Sequence, residues 1–245
     1  MDRRGHQGGR GEPDHHAGLT PVPGALVVLE GAEGVGKTTQ LHRLAEAVRG
    51  LGVTVQVVRE PGGTPLGDEI RRLLLDAPLD VAARAEALLF MASRAQLVDD
   101  VITPRLRDGA VVLTDRFFLS TYAYQVAGRG LDEAAIRQAN EFATDHLVPD
   151  VTLLLDLPLG EGVKRAAARG EPDRLERAEA DFHRRVALAF REFAEPAWQQ
   201  RHPECGPVVL VDASGSVHEV EERIRQVLAS RLPETFRGLR GSQTT

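Results

Sequence analysis

The chain has one cysteine, one tryptophan, two tyrosines and two lysines in 245 residues, and aromatic residues make up only 4% of it. A lone cysteine, Cys205, excludes an internal disulfide and any metal site built on clustered thiolates, as expected in a reducing compartment. No apolar run approaches the roughly 20 residues that span a bilayer, and no charged-apolar-small pattern marks a secretory signal. The sequence therefore reads as a cytoplasmic protein with no membrane partner. Excess positive charge is missing too: 30 basic against 36 acidic residues leave a net charge of −6, which argues against bulk electrostatic binding to nucleic acid. Anionic ligands must then be met by local clusters of arginine.

What is present is the composition of a globular domain, 42% hydrophobic and 27% charged. Residues 1–24 carry glycine, proline, histidine and charge without apolar periodicity and read as a disordered leader, in which His15-His16 are solvated rather than metal ligands. From Pro233 the chain reads as a flexible tail, leaving one domain over 25–232 with no internal repeat. Within it, the short apolar runs Leu26–Leu29, Val53–Val58, Ala110–Leu113, Val151–Leu155 and Val208–Val211 have the character of buried parallel strands. Helical spacing follows: Leu41, Leu44, Ala45 and Val48, then Ile136 and Ala139 behind a capping Asp132, then Val217, Val220, Ile224 and Val227. The expected fold is α/β, a five-stranded parallel sheet with helices on both faces and ligands beyond the carboxyl ends of the strands.

After the first strand comes Gly31-Ala32-Glu33-Gly34-Val35-Gly36-Lys37-Thr38, the pattern G-x-x-x-x-G-K-[ST], with Thr39 beyond it. Glycines let successive backbone N–H groups converge on a polyphosphate, and the following helix adds its dipole. Lys37 would bridge β- and γ-phosphates and Thr38 would ligate Mg²⁺, which points to nucleoside triphosphate chemistry. Since arginine carries nearly all other positive charge, a lysine here is unlike a solubilising residue.

Three further strand ends carry chemistry. The second runs into Arg59-Glu60-Pro61-Gly62-Gly63-Thr64, a cation before a tight turn, followed by a helical stretch with Arg71 and Arg72. The third ends in Asp115-Arg116. Asp115 would hold Mg²⁺ directly or through water, although the two residues also fit an ion pair closing the strand. After the fourth, Lys164-Arg165 and the arginines Arg169 and Arg174 flank a Gly and Pro break. Such a segment is suited to a lid over about 164–177, or to a solvated basic face.

Together these stretches resemble thymidylate kinases, of the P-loop nucleoside monophosphate kinase group, from Leu26 to Leu232. The resemblance rests on Glu30 to Gly34, Arg59 to Thr64, Leu88-Leu89-Phe90 with Arg94, and Asp115-Arg116 with Ser120 to Gln125. It implies transfer of the γ-phosphoryl of MgATP to dTMP, giving dTDP and ADP, by a homodimer. It further implies that Phe90 stacks on thymine and Arg94 bonds its edge, with Ser120, Thr121 and Gln125 nearby. Tyr124 would crowd the sugar 2′ position, Arg59 and Arg116 would grip the acceptor phosphate, and Glu33 would face the 3′-hydroxyl. Because the phosphate loop holds no arginine, the resemblance is to the bacterial version, in which lid arginines supply the catalytic cation: here Arg169 and Arg174, with Arg165 third. Phe117 stands where the family more often has a polar residue or tyrosine.

Two other readings stand beside this one. The first is a related kinase with another nucleoside monophosphate or deoxynucleoside acceptor. The second is a non-kinase switch, for which Asp212-Ala213-Ser214-Gly215 fits D-x-x-G. That sequence falls after the last strand, without an N-K-x-D motif, and reads better as a turn near the adenine.

Overall fold

The computed structural model describes residues 24–239 except 78, 159, 168–173 and 176. The leader through residue 23, Arg169 and residues 240–245 lie outside the described residues. In chain order the elements are β1 (Ala25–Glu30), α1 (Lys37–Arg49), β2 (Val55–Arg59), α2 (Pro65–Arg71), α3 (Ala83–Leu97), α4 (Thr103–Arg107), β3 (Val111–Asp115) and α5 (Phe118–Thr121). There follow α6 (Glu133–Thr144), β4 (Val151–Asp156), α7 (Glu161–Ala167), α8 (Ala180–Glu192), α9 (Pro196–Arg201), β5 (Val208–Asp212), α10 (Val217–Arg231) and α11 (Pro233–Phe236). Wider π-type turns extend α2, α3 and α5, the last as Tyr122–Gly128.

The five strands are all parallel, as expected, and they lie in the order β2-β3-β1-β4-β5. Every residue of β1 is buried, and its side chains alternate between two cores. Leu26 and Val28 pack with α3 and α8, whereas Val27 and Leu29 pack with Leu41, Leu44 and Val48 of α1 and Ile224 of α10. A strand covered on both faces has no solvated side, which is why it reads as a continuous apolar run. With β3 on one side of β1 and β4 on the other, the loops leaving their carboxyl ends diverge and open a crevice. The register sets both Leu29 of β1 and Arg59 of β2 opposite Asp115, so the tips of β2 and β3 deliver Arg59 and Asp115 at one level, and Glu30 follows one residue later on β1.

Local signals set the helix starts. Asp132 Oδ1 accepts from Ala135 N at 2.8 Å, and Ser216 with Glu219 forms a reciprocal capping box on α10. Two expectations need correction. Val217 is 47% exposed, and Leu228 joins Val220 and Ile224 on the buried face of α10. The stretch after Pro233 is not loose through Leu239: α11 and a short 3₁₀ turn carry Phe236 and Leu239, 0% and 3% exposed, into the core against α10. Two anchors three residues apart give too little periodicity to register as a helix in the sequence.

Candidate active site

The loop after β1 is shaped by close backbone approach. Gly31, at φ 137°, leaves 2.4 Å between a hypothetical Cβ and Leu155 O, and Gly34, at φ 75°, would place one 1.9 Å from Gly162 O on α7. No other residue fits at either position. Lys37 opens α1, is 6% exposed, and donates from Nζ to Gly31 O and Ala32 O, both at 2.9 Å. Burial and then the Arg116 charge bring its pKa down to about 8, against the pull of Glu33, Asp115 and Glu30. Val35 turns into the α1 core, and Thr39 is exposed.

Thr38 Oγ1 donates to Asp115 Oδ2 at 2.7 Å. This joins the start of α1 to the tip of β3. Among the described residues the ion pair of Arg116 is made with Glu33 and not with Asp115, the alternative open in the sequence. Arg116 instead donates to Glu33 and Tyr124 Oη through Nη2, and to Ser120 Oγ (2.9 Å) and Gly31 O (3.3 Å) through Nη1. Tyr124 Oη donates to Glu33 Oε1 at 2.7 Å, and the guanidinium lies 5.2 Å from the Tyr124 ring centroid. Burial would lower the pKa of Arg116, but Glu33 and the other anionic neighbours raise it, so it stays fully charged. Burial pushes the Tyr124 hydroxyl well up, and it remains a neutral donor.

Arg116 holds φ 77°, a conformation uncommon outside glycine. Glu30 secures it. This carboxylate, 0% exposed, accepts from Phe117 N (2.7 Å) and Ser120 N (2.9 Å) on Oε1 and from Ser120 Oγ (2.6 Å) on Oε2. Ser120 thus passes the position of Glu30 on to Arg116. Sequence reasoning missed Glu30 as a site residue; the signal was a carboxylate at the tip of an otherwise apolar buried strand.

Glu33, Lys37, Thr38, Asp115, Arg116, Ser120 and Tyr124 line one cavity of about 520 Å³ that runs on past Arg59, Gly63, Phe90, Arg94, Thr121 and Gln125. Arg59 is exposed at its wall and Phe90 half-buried. Arg94 departs from expectation in its bonding. All five of its N–H donors are taken inside the protein: by Glu60 twice, Phe117 O, Thr121 Oγ1 and Asn140 Oδ1. Its first task is to tie β2, α5 and α6 to α3, and it meets the cavity as a wall. Arg71 was missed. It lines the cavity and donates to Pro61 O at 3.0 Å, while its neighbour Arg72 is turned outward to Glu69. Nothing local in the sequence separates those two arginines.

The lid expectations are corrected in part. Arg174 does not line the cavity: its Nη2 bonds Glu86 Oε2 at 2.6 Å and its Nε bonds Leu74 O at 2.6 Å. A buried carboxylate attracts a guanidinium more strongly than solvent does, so Arg174 anchors the returning segment at the far end of the cavity. Its neighbour Leu175 lines the cavity. Arg165 is exposed on α7, 3.8 Å from Glu161. Asp212 to Gly215 forms a turn in which Asp212 Oδ1 accepts from Ser214 N at 2.9 Å.

A phosphate-binding loop with its lysine and threonine, an acidic strand tip bonded to that threonine, and the 2-3-1-4-5 parallel order define a P-loop nucleoside monophosphate kinase. A thymidylate kinase family model matches residues 29–224. Thymidylate kinases of Deinococcus radiodurans and Pseudomonas fluorescens are each 45% identical, over 208 and 221 residues. The matches cover 85% and 90% of this chain and 98% and 100% of those proteins. The crystal structure of thymidylate kinase from Ehrlichia chaffeensis superposes with a TM-score of 0.66 at 29% identity, covering 84% of this chain and 98% of that one. The chain belongs to the thymidylate kinase family.

Proposed function

We propose the following division of labour for the family's reaction, the transfer of the γ-phosphoryl of ATP to dTMP, which gives dTDP and ADP. The observation that carries it is a single cavity with the phosphate loop at one end and Phe90 and Gln125 at the other. Donor phosphates lie along Gly31 to Thr38, where backbone N–H groups and Lys37 hold them. Acceptor phosphate is gripped by Arg59 and Arg116, the pyrimidine stacks on Phe90, and Thr121 and Gln125 read its edge. Glu33 and Tyr124, bonded to each other, form the sugar wall: the carboxylate takes the 3′-hydroxyl and the ring leaves little room for a 2′-hydroxyl.

Thr38 and Asp115 fit a magnesium site, because Mg²⁺ takes one or two protein oxygens and completes its shell with phosphates and water. Among the described residues no cluster of three or more His, Cys, Asp or Glu side chains offers an all-protein metal cage. When bound there, the ion neutralises β- and γ-phosphate charge. Catalysis by the chain's own groups is then positioning and charge neutralisation. Lys37 and Arg116 approach the transferring phosphoryl from donor and acceptor sides, and Arg165 and Arg169 of the lid supply the further cation.

No described helix is long and apolar enough to cross a membrane, in keeping with a cytoplasmic enzyme. A homodimer is supported by Leu88 on α3 and Phe142 on α6, 64% and 89% exposed on neighbouring helices; sedimentation velocity reads it directly.

An ADP-release assay over a panel of nucleoside monophosphates tests the function. dTMP leads the panel, and ADP release without any acceptor would instead support the switch reading. Phe90→Ala raises KM for dTMP about tenfold or more while leaving KM for ATP within a factor of about two. Equal rises for both substrates would make Phe90 a packing residue only.

A further inference from the structure

Glu86 lies on α3 one helical turn before Phe90 and is 0% exposed. Three side chains converge on its carboxylate. Gln125 donates from Nε2 to Oε1 at 3.0 Å, Arg129 from Nε to Oε1 at 3.1 Å and from Nη2 to Oε2 at 3.0 Å, and Arg174 from Nη2 to Oε2 at 2.6 Å. Burial alone would raise its pKa, but the bonds from Arg129 and Arg174 outweigh this and hold it below the ordinary value, so it is ionised at neutral pH. The donors come from separate parts of the chain: the π-type turn after α5, the residue just beyond it, and the segment that leads into α8.

An ionised carboxylate only accepts hydrogen bonds. The Gln125 amide must therefore turn its NH₂ to Glu86, and half a rotation would set two oxygens against each other. The carbonyl oxygen is what remains for the cavity that Gln125 lines. An acceptor there suits a pyrimidine carrying N3–H, as thymine and uracil do. It opposes cytosine, whose N3 holds a lone pair.

Resting on the reading above, in which Gln125 contacts the base, we propose that Glu86 is a positioning residue that fixes the polarity of the Gln125 amide, so that the site rejects cytosine, and latches the segment before α8 to the base end through Arg174. Arg174 N also bonds Leu75 O at 3.2 Å, and Leu175 beside it forms cavity wall. The carboxylate that orients the base-reading amide thus also sets the wall above it.

The test compares kcat and KM for dTMP and dCMP in the wild-type enzyme and in Glu86→Gln, an isosteric change whose own amide lets Gln125 turn. The dTMP-to-dCMP ratio of kcat/KM falls roughly tenfold or more, chiefly through KM, while KM for ATP holds. Equal losses for both acceptors, leaving the ratio unchanged, overturn the proposal. In a Gln125→Leu background Glu86→Gln leaves the ratio where it was; a further fall there overturns the route through Gln125. Arg174→Ala, which spares the Glu86–Gln125 bond, raises KM for dTMP without changing the ratio, and an unaltered KM removes the latch. A wild-type enzyme that does not use dTMP fails the functional reading itself, which its own control arm detects. Should Glu86→Gln not fold, Glu86→Asp, which keeps the charge for both arginines but draws the carboxylate back from Gln125, carries the same comparison with the same expected direction.

Discussion

Lys37→Ala retains its fold and loses about a thousandfold or more in kcat at saturating dTMP and MgATP. Its ammonium sits 2.9 Å from two carbonyls of the phosphate loop, in a nearly closed position where charge is poorly screened. A γ-phosphoryl group in flight gathers charge on its equatorial oxygens, and a fixed cation beside it acts without the reorganisation that solvent would need. Alanine is the best helix former and Lys37 stands at the first position of α1, so melting temperature should stay near the wild-type value. Lys37→Arg should rescue little, because the planar guanidinium is a different shape from the compact ammonium the loop encloses. An alanine variant with wild-type kcat would remove Lys37 from the catalytic machinery.

Arg116→Lys should cost about a hundredfold in kcat/KM for dTMP while KM for ATP changes little. Net charge is conserved in this substitution, so the loss measures geometry. Arg116 meets Gly31 O and Ser120 with one amino group and Glu33 and Tyr124 with the other, and it lies against the Tyr124 ring. Lysine offers one point of charge and no planar fork, so it cannot hold the loop, the sugar wall and an acceptor phosphate together. Retention of dTMP kcat/KM by the lysine variant would mean that charge alone suffices and that the Glu30–Ser120 support has no catalytic purpose. The backbone at Arg116 adds a check: φ 77° is held by the bonds of Glu30 to Phe117 and Ser120, so Glu30→Gln should lower kcat/KM for dTMP in the same direction.

The phosphate loop, Lys37, Thr38 and the strand tips Arg59 and Asp115 were legible in the sequence because their chemistry is written in contiguous residues. A glycine pattern between a strand and a helix has few other uses, and five short apolar runs alternating with helical spacing allow few topologies. Arg94 shows where this ends. Its place one turn after Phe90 was readable, but its partners Glu60, Asn140 and Thr121 lie 34, 46 and 27 residues away, and no local pattern couples them. Phe236 was lost for the related reason that burial of a short terminal segment depends on what it lands against.

Local pattern, then, carried the class of fold, the glycine-rich loop around Lys37 and the identity of most cavity residues. Which charges neutralise one another was left to folding. Arg116 meets Glu33 across 83 residues, Arg174 meets Glu86 across 88, and Thr38 rather than Arg116 takes Asp115 across 77. Ion pairs and hydrogen bonds act over a few ångströms, and strand order, not distance along the chain, decides which groups come that close.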